Sequence, residues 1–180
     1  MNAPRPNAWT LDAGHSAIAF SVRHLMITNV RGAFARFTAQ VTYDAVAPAE
    51  TRIDARIDVA SIDTREAKRD DDLRGELFFD VAKHPTMTFV SKSARAVNDG
   101  IDIDGELTIR GVSRPVTLSV RDISGPAVDM RGHRRLGATA TTKIKRTDFG
   151  MTWNKTLDSG GVVVGEVVTI TIDVSLVATA

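Results

Sequence analysis

Residues Gly105 to Leu118 read GELTIRGVSRPVTL, two alternating segments placed back to back across a Gly111 to Pro115 connection. Leu107 and Ile109 share one face of the first segment while Glu106, Thr108 and Arg110 share the other, the two-residue period of a half-buried antiparallel strand. Val116, Leu118 and Val120 repeat the pattern against Thr117, Ser119 and Arg121. A hairpin with one apolar and one wetted face must cover the apolar one. In an all-β chain the cover is a sandwich interior or a barrel lumen.

The same alternation extends in both directions. Ile18, Phe20 and Val22 alternate with Ala17, Ala19, Ser21 and Arg23, and Phe37, Ala39, Val41 and Tyr43 with Arg36, Thr38, Gln40 and Thr42. Ile53, Ala55, Ile57 and Val59 stand against Asp54, Arg56 and Asp58, and Ile101 and Ile103 continue the line of Leu107 and Ile109. Further strands are expected over Thr86 to Val97, Val116 to Ile123, Leu136 to Arg146 and Glu166 to Val177, about eight in all. Turns are expected at Asn98-Asp99-Gly100, Ser124-Gly125-Pro126 and Ser159-Gly160-Gly161.

From Asp63 to Phe79 the alternation stops. Glu66, Ala67, Lys68, Arg69, Asp70, Leu73 and Arg74 are helix chemistry, so a helical segment is expected near 64–79, with Asp63 as N-cap, Glu66 completing a capping box, and Leu73 and Leu77 as its apolar edge. A second short helical turn is expected near 25–29, closing a barrel end together with the first.

The chain has 180 residues, enough for one domain that buries roughly 70% of the surface its unfolded form exposes. Apolar residues make up 43%, charged residues 25%, and the net charge is +1, so no one-signed field draws in nucleic acid or an anionic membrane. Without cysteine there is no disulfide, thiolate nucleophile or cysteine metal site. The opening MNAPRPNAW carries no apolar run of signal-peptide length, which gives a cytoplasmic expectation for the chain as it stands, and a periplasmic or secreted one if a signal was removed. The longest apolar stretch, Val162 to Val168, is broken by Gly165 and Glu166, far short of a membrane-spanning helix. The domain division expected is a flexible tail over 1–8 and one barrel domain over 9–180.

Eight antiparallel strands closed on themselves leave an interior that side chains just fill or that holds one small ligand. The small residues at inferred inward positions, Ala39, Ala55, Gly105, Ala138 and Ala140, favour space along the axis.

Motifs spread over nearly the whole chain, from Trp9 to about Val177, closely resemble the YceI family of lipocalin-like, polyisoprenoid-binding proteins. Trp9, Leu11, Asp12, His15, Ser16, Phe20, Val22 and His24 follow that family's opening pattern, Gly32 and Phe34 come just after, and Ser61-Ile62-Asp63-Thr64 next. The segment RDDDLRGELFFDVAKHPTMTFVS, Arg69 to Ser91, has Phe78, Phe79, Asp80, Pro85 and Phe89 in place but departs at Asp72 and Leu77, where the family usually has His and Asp. The hairpin quoted above, Arg146-Thr147-Asp148-Phe149-Gly150 and Gly165-Glu166-Val167 complete the match, with Lys145 where Asn or Asp is common. The resemblance implies a lipocalin-like eight-stranded barrel with a long hydrophobic pocket for an isoprenoid or similar long-chain amphiphile, no further cofactor, and a homodimer. Burying such a tail gains roughly 0.8 kcal/mol per CH₂, so an apolar tunnel needs no strong head-group motif.

The inward positions expected to line that pocket are Ile18, Phe20, Val22, Phe37, Ile57, Phe89, Leu107, Ile109, Leu118, Ile144, Ile170 and Ile172. Continuing two inward rows by one step reaches His24 and Arg146, which makes them the candidate head-group contacts. An inward Arg146 needs a partner. The plainer reading pairs it with Asp148 or Asp70 and hydrogen-bonds His24 to backbone at a helix start.

Three rival chemistries are weaker. Asp158-Ser159-Gly160-Gly161 is the DSGG string of chymotrypsin-like proteases, but Leu157 and Val162 flank it where Gly and Pro belong, and no base motif surrounds His15, His24, His84 or His133. A hairpin turn is expected there. No two histidines have metal-ligand spacing, and Asp70-Asp71-Asp72 reads as a solvated helix face, so no metal site is expected. Gly132-His133-Arg134-Arg135 lacks the interleaved aromatics of a nucleic-acid site. The leading function is carriage or sequestration of a lipid without catalysis. Its alternatives are an enzyme acting on a hydrophobic substrate in the same pocket and a filled barrel serving as a structural or stress-response protein.

Overall fold

In the computed structural model, which describes residues 8–158 and 160–179, the quoted stretch is a tight hairpin between β8 (Gly100–Ile109) and β9 (Val112–Val128). The connection is two residues, Arg110 and Gly111, and not the span to Pro115: both have positive φ, 53° and 71°, the twist that two-residue hairpins require. Pro115 lies within β9 opposite Glu106. Arg110 holds its unfavourable φ with a doubly anchored guanidinium, Nη1 donating to Gly150 O at 2.7 Å and Nη2 to Glu76 O at 3.2 Å. Along β8 every second residue from Ile101 to Ile109 is buried, the alternation read from the sequence.

The remaining strands are β1 (Ala8–Leu11), β2 (Ala17–His24), β3 (Thr28–Phe34), β4 (Phe37–Thr42), β5 (Arg52–Asp58), β6 (Ile62–Asp63), β7 (Thr86–Val97), β10 (Arg134–Lys145) and β11 (Val164–Ala178). All pairings are antiparallel, and β1-β4-β5-β7-β8-β9-β10-β11 closes into an eight-stranded barrel through β11–β1, while β2, β3 and β6 extend from β11. Eleven strands thus occupy eight staves. β1 and β2 run in line along β11, with Leu11 opposite Leu176 and Ala17 opposite Asp173. β3 and β4 form the next stave, broken at residues 35–36, and β5 and β6 the one after, broken by the 3₁₀ turn Val59–Ser61.

Each break flips which parity faces inward. Leu11 and Ile18 both reach the interior, as do Phe34 and Phe37, although each pair is an odd number of residues apart. β1, β3 and β6 lie outside the eight stretches expected as strands. The first strand opens at Ala8, inside the stretch expected to be tail. β9 continues through Ser124-Gly125-Pro126 without turning, and the chain reverses over Asp129–His133, where Asp129 N donates to His133 O.

The helix α1 (Ala67–Arg74) is shorter than the expected 64–79 segment. Its cap is Glu66 and not Asp63: the Glu66 carboxylate accepts from Lys68 N and Arg69 N, while Asp63 accepts from Arg65 N in a local turn. The buried Asp70 accepts from both the backbone N–H and the hydroxyl of Thr64, and Arg69 and Arg74 donate to the carbonyls of Thr64, Ala60 and Ile62. These bonds clamp α1 over the gap between β6 and β7. Residues 25–29 are not helical. Leu25 and Met26, with φ of 51° and 60°, turn β2 into β3.

Candidate functional site

The inner faces of the staves enclose an axial cavity of about 260 Å³. One end is closed by Trp9 packed with Leu136 and Leu176, the Trp9 indole N–H donating to Tyr43 O at 3.1 Å. The wall runs from Ile123, Leu136 and Val174 at that end to Leu73, Phe78, Met151 and Val164 beneath α1. Beyond aliphatic and aromatic side chains it holds only Thr38, Thr51, Thr142, Tyr43 and Arg146. Burial raises the pKa of the Tyr43 phenol, and the neighbouring Asp44 charge adds to the rise.

The twelve apolar positions assigned to a pocket by parity all lie on this wall, as do Ala39, Ala55, Ala138 and Ala140. Gly105 leaves no space: the Phe89 ring lies over it so closely that a Cβ there would collide. The Phe20 ring covers Gly32 in the same way. Leu73, Phe78 and Phe79 line the cavity from outside the strands, where alternation gives no guidance. Their sequence signals are the helix's apolar edge, which includes Leu73, and the adjacent Phe78-Phe79 pair.

A second cavity, about 630 Å³, lies outside the first at the α1 end. Phe20, Val22, Leu73, Phe78 and Val164 line both, so these side chains form the partition between an interior tunnel and an outer vestibule. The vestibule carries charges of both signs, among them Arg23, Lys68, Asp72 and Glu76. Leu77, expected on the helix's apolar edge, is exposed on its rim. Asp72 and Leu77, the two departures from the family pattern in this segment, therefore both line the vestibule. Lys145, the third departure, precedes the 3₁₀ turn Arg146–Phe149 and makes no side-chain cap there.

The two candidate head-group contacts have separated. His24 ends β2 in the vestibule wall, half-buried, its ring hydrogen-bonded to no described residue. The helical turn expected to start there is absent, Leu25 and Met26 turning β2 into β3 instead.

Arg146 is 4% exposed and lines the tunnel. Its partners are neither Asp148 nor Asp70 but four backbone carbonyls: Nε donates to Gly165 O at 2.9 Å, Nη1 to Met151 O and to Trp153 O, and Nη2 to Val164 O at 3.2 Å. Four of five guanidinium N–H groups are thereby committed. Burial lowers the pKa of Arg146, against the opposing pull of the Glu166 charge, and an arginine so placed still keeps its proton. Asn154 completes the clasp, donating to Val164 O and accepting from Val164 N.

Ser159 lies outside the described residues. The chain around it folds back on itself, with Thr156 bridged to Val162 and Leu157 N donating to Gly161 O. In the basic stretch 132–135, Arg135 pairs with Asp12 and Asp129, and Arg134 stacks on the Trp9 ring at 5.5 Å. Among the described residues no three His, Asp or Glu gather to hold a metal ion, and no helix is long and apolar enough to cross a membrane.

The model of the YceI-like domain family matches residues 9–176. Protein YceI of Salmonella newport (strain SL254) is 38% identical over 138 residues, 77% of this chain and 72% of that protein. The crystal structure of BcnA from Burkholderia cenocepacia superposes with a TM-score of 0.80 at 27% identity, covering 94% of this chain and 99% of that one. A polyisoprenoid-binding domain from Saccharophagus degradans, implicated in plant cell wall breakdown, shares the fold with a TM-score of 0.67 at 17% identity, over 95% of this chain and 98% of that one.

Proposed function

This chain belongs to the YceI-like domain family, and on that premise we propose that its barrel takes up a long-chain amphiphile of the isoprenoid class, tail in the tunnel and head group in the vestibule, for carriage or sequestration without catalysis. The observation that carries this reading is the tunnel wall, apolar from its floor at Leu136 and Leu176 to the partition at Leu73 and Phe78. Such a wall rewards hydrocarbon by area and has almost nothing to offer a polar ligand. The tunnel falls just below the roughly 300–1,000 Å³ typical of small-molecule sites, and the vestibule lies well within that range. General acid-base chemistry needs a titratable pair within reach of the reacting atoms, and the described wall of the tunnel carries no carboxylate or imidazole. Between the two head-group candidates, His24 has its ring free to contact a ligand, whereas Arg146 has one N–H to spare.

Native mass spectrometry after incubation with geranylgeraniol tests this reading. A one-to-one complex is the expected result. A protein that remains bare across the solubility range of the alcohol overturns it.

A further inference from the structure

Four large apolar side chains stand exposed at this end of the barrel: Leu77 at 61% and Trp153 at 37% line the vestibule, and Ile27 at 74% and Met26 at 50% lie in the β2–β3 turn that follows its wall residue His24. They come from three separate segments, the β2–β3 turn, the stretch after α1 and the connection before β11. Hydrogen bonds and ring contacts bring these together. Leu25 N donates to Val163 O, which fixes the turn against a vestibule wall residue, and Ile27 N donates to His24 O. Trp153 packs on Phe78 with ring centroids 5.6 Å apart, at the partition itself. Single exposed apolar residues are ordinary, but a ring of them around the opening of an apolar tunnel is not scattered exposure.

We propose that this rim docks on a lipid bilayer, with Ile27, Leu77, Met26 and Trp153 entering the interface and the vestibule set against the membrane. The proposal rests on the lipid reading of the tunnel: an amphiphile drawn through such a contact moves from hydrocarbon to hydrocarbon without exposing its tail to water. A half-exposed indole suits the boundary between head groups and acyl chains. Attraction to anionic lipid is not the driver. Arg23, Lys68 and Arg69 share the vestibule wall with Glu66, Asp71, Asp72 and Glu76, so it has no cationic excess.

Flotation of the intact protein with phosphatidylcholine vesicles tests the proposal, because a zwitterionic surface isolates the apolar contribution. The chain is expected to float with the vesicles, and Trp153 emission to shift to the blue while Trp9, already buried, supplies a constant background. The double variant Ile27→Glu, Leu77→Glu is expected to lower the bound fraction at least tenfold. Met130→Glu, at a still more exposed site on the β9–β10 loop at the closed end, is expected to leave it unchanged. Absence of binding overturns the proposal, as does binding that the double variant retains or that Met130→Glu removes. A dimer in sedimentation that Leu77→Glu dissociates assigns the rim to a second copy and overturns it too. Geranylgeraniol uptake by the Ile27→Glu variant in vesicle-free buffer keeps the two readings apart: uptake without docking in the unmodified chain defeats only the docking surface, and docking without uptake defeats only the tunnel.

Discussion

Arg146 shows how an inward cation is tolerated in an apolar wall. The guanidinium serves as a hub for the carbonyls of Met151 and Trp153, in the connection before β11, and of Val164 and Gly165, at the start of β11 where its pairing with β2 is interrupted between Val164 and Val168. Its position on the inner row was readable by counting in twos from Ala140. Its partners were not, because backbone acceptors leave no mark on the sequence, whereas Asp148 and Asp70 do. Asp70 is consumed by Thr64 instead. Arg146→Met keeps an unbranched stem, shorter than the arginine, but strands several carbonyls. Loss of hydrogen bonds to a charged donor, at about 1.5–3 kcal/mol each and not additive, gives an expected destabilisation of at least ~3 kcal/mol. At ~2–4 °C per kcal/mol for a chain of this size, thermal unfolding should shift down by on the order of 10 °C. Affinity for geranylgeraniol at a temperature where the variant is folded should change less than threefold. A tenfold loss of affinity with an unchanged Tm would make Arg146 a ligand clamp.

At the level of elements, the closed end is held by a charge network and the α1 end by a helix clamp. Arg135 on β10 reaches Asp12 Oδ2 at 2.6 Å, beside the 3₁₀ turn Ala13–His15, and Asp129 Oδ2 at 2.7 Å, in the β9–β10 loop. The hydrogen bond from Arg135, followed by that from His15, lowers the Asp12 pKa from 3.8 to about 2, and Arg135 lowers Asp129 further still. A folded-state pKa below the unfolded one contributes stability that is complete above the unfolded value and is lost as pH falls through the folded one. The window for Asp12 is therefore pH 3.8 down to about 2. In Arg135→Gln both carboxyls relax toward ordinary values, so Tm measured across this window should fall less steeply than in the parent chain. An identical slope would show that the network does not couple to folding. His15 and Asp12 were visible as part of the opening motif, but the link from Asp12 to Arg135 spans 123 residues and only barrel closure creates it. Helix chemistry was legible in Glu66 to Arg74. Its true start was not, because Asp63 and Glu66 are both competent caps, and the Asp70–Thr64 bonds fix where the turn into α1 falls.

For the molecule as a whole, long uninterrupted staves were the legible part. β7 to β11 run for 10 to 17 residues; β8, β10 and β11 keep an inward count in twos, whereas bulges in β7 near Ser91–Ser93 and in β9 beyond Arg121 bring Ala94 and Ile123 against the core out of step with Phe89 and Val120. The first three staves are pieced together from six short strands whose inward parity changes at each break, and no count in twos crosses such a joint. Hollowness was legible only as small residues on inward rows. Whether a small residue opens space depends on what lies over it: Phe89 fills the room above Gly105, while Ala138 faces the tunnel. That contrast makes Ala138 the place to test whether the tunnel is the binding space. In Ala138→Phe the ring has a void to enter, so stability should change by no more than ~1 kcal/mol, unlike an insertion into a filled core, which costs about 1–3 kcal/mol. Displacing as few as two CH₂ groups of a bound tail forfeits roughly 1.6 kcal/mol, more than a tenfold loss of affinity. Titration with geranylgeraniol should show that loss, and a shorter terpene alcohol that ends before Ala138 should bind as it does to the parent chain. Thr141→Phe, on the outward face of the same strand, should alter neither measurement. Full affinity for the long alcohol in a stably folded Ala138→Phe would place the tail outside the barrel axis.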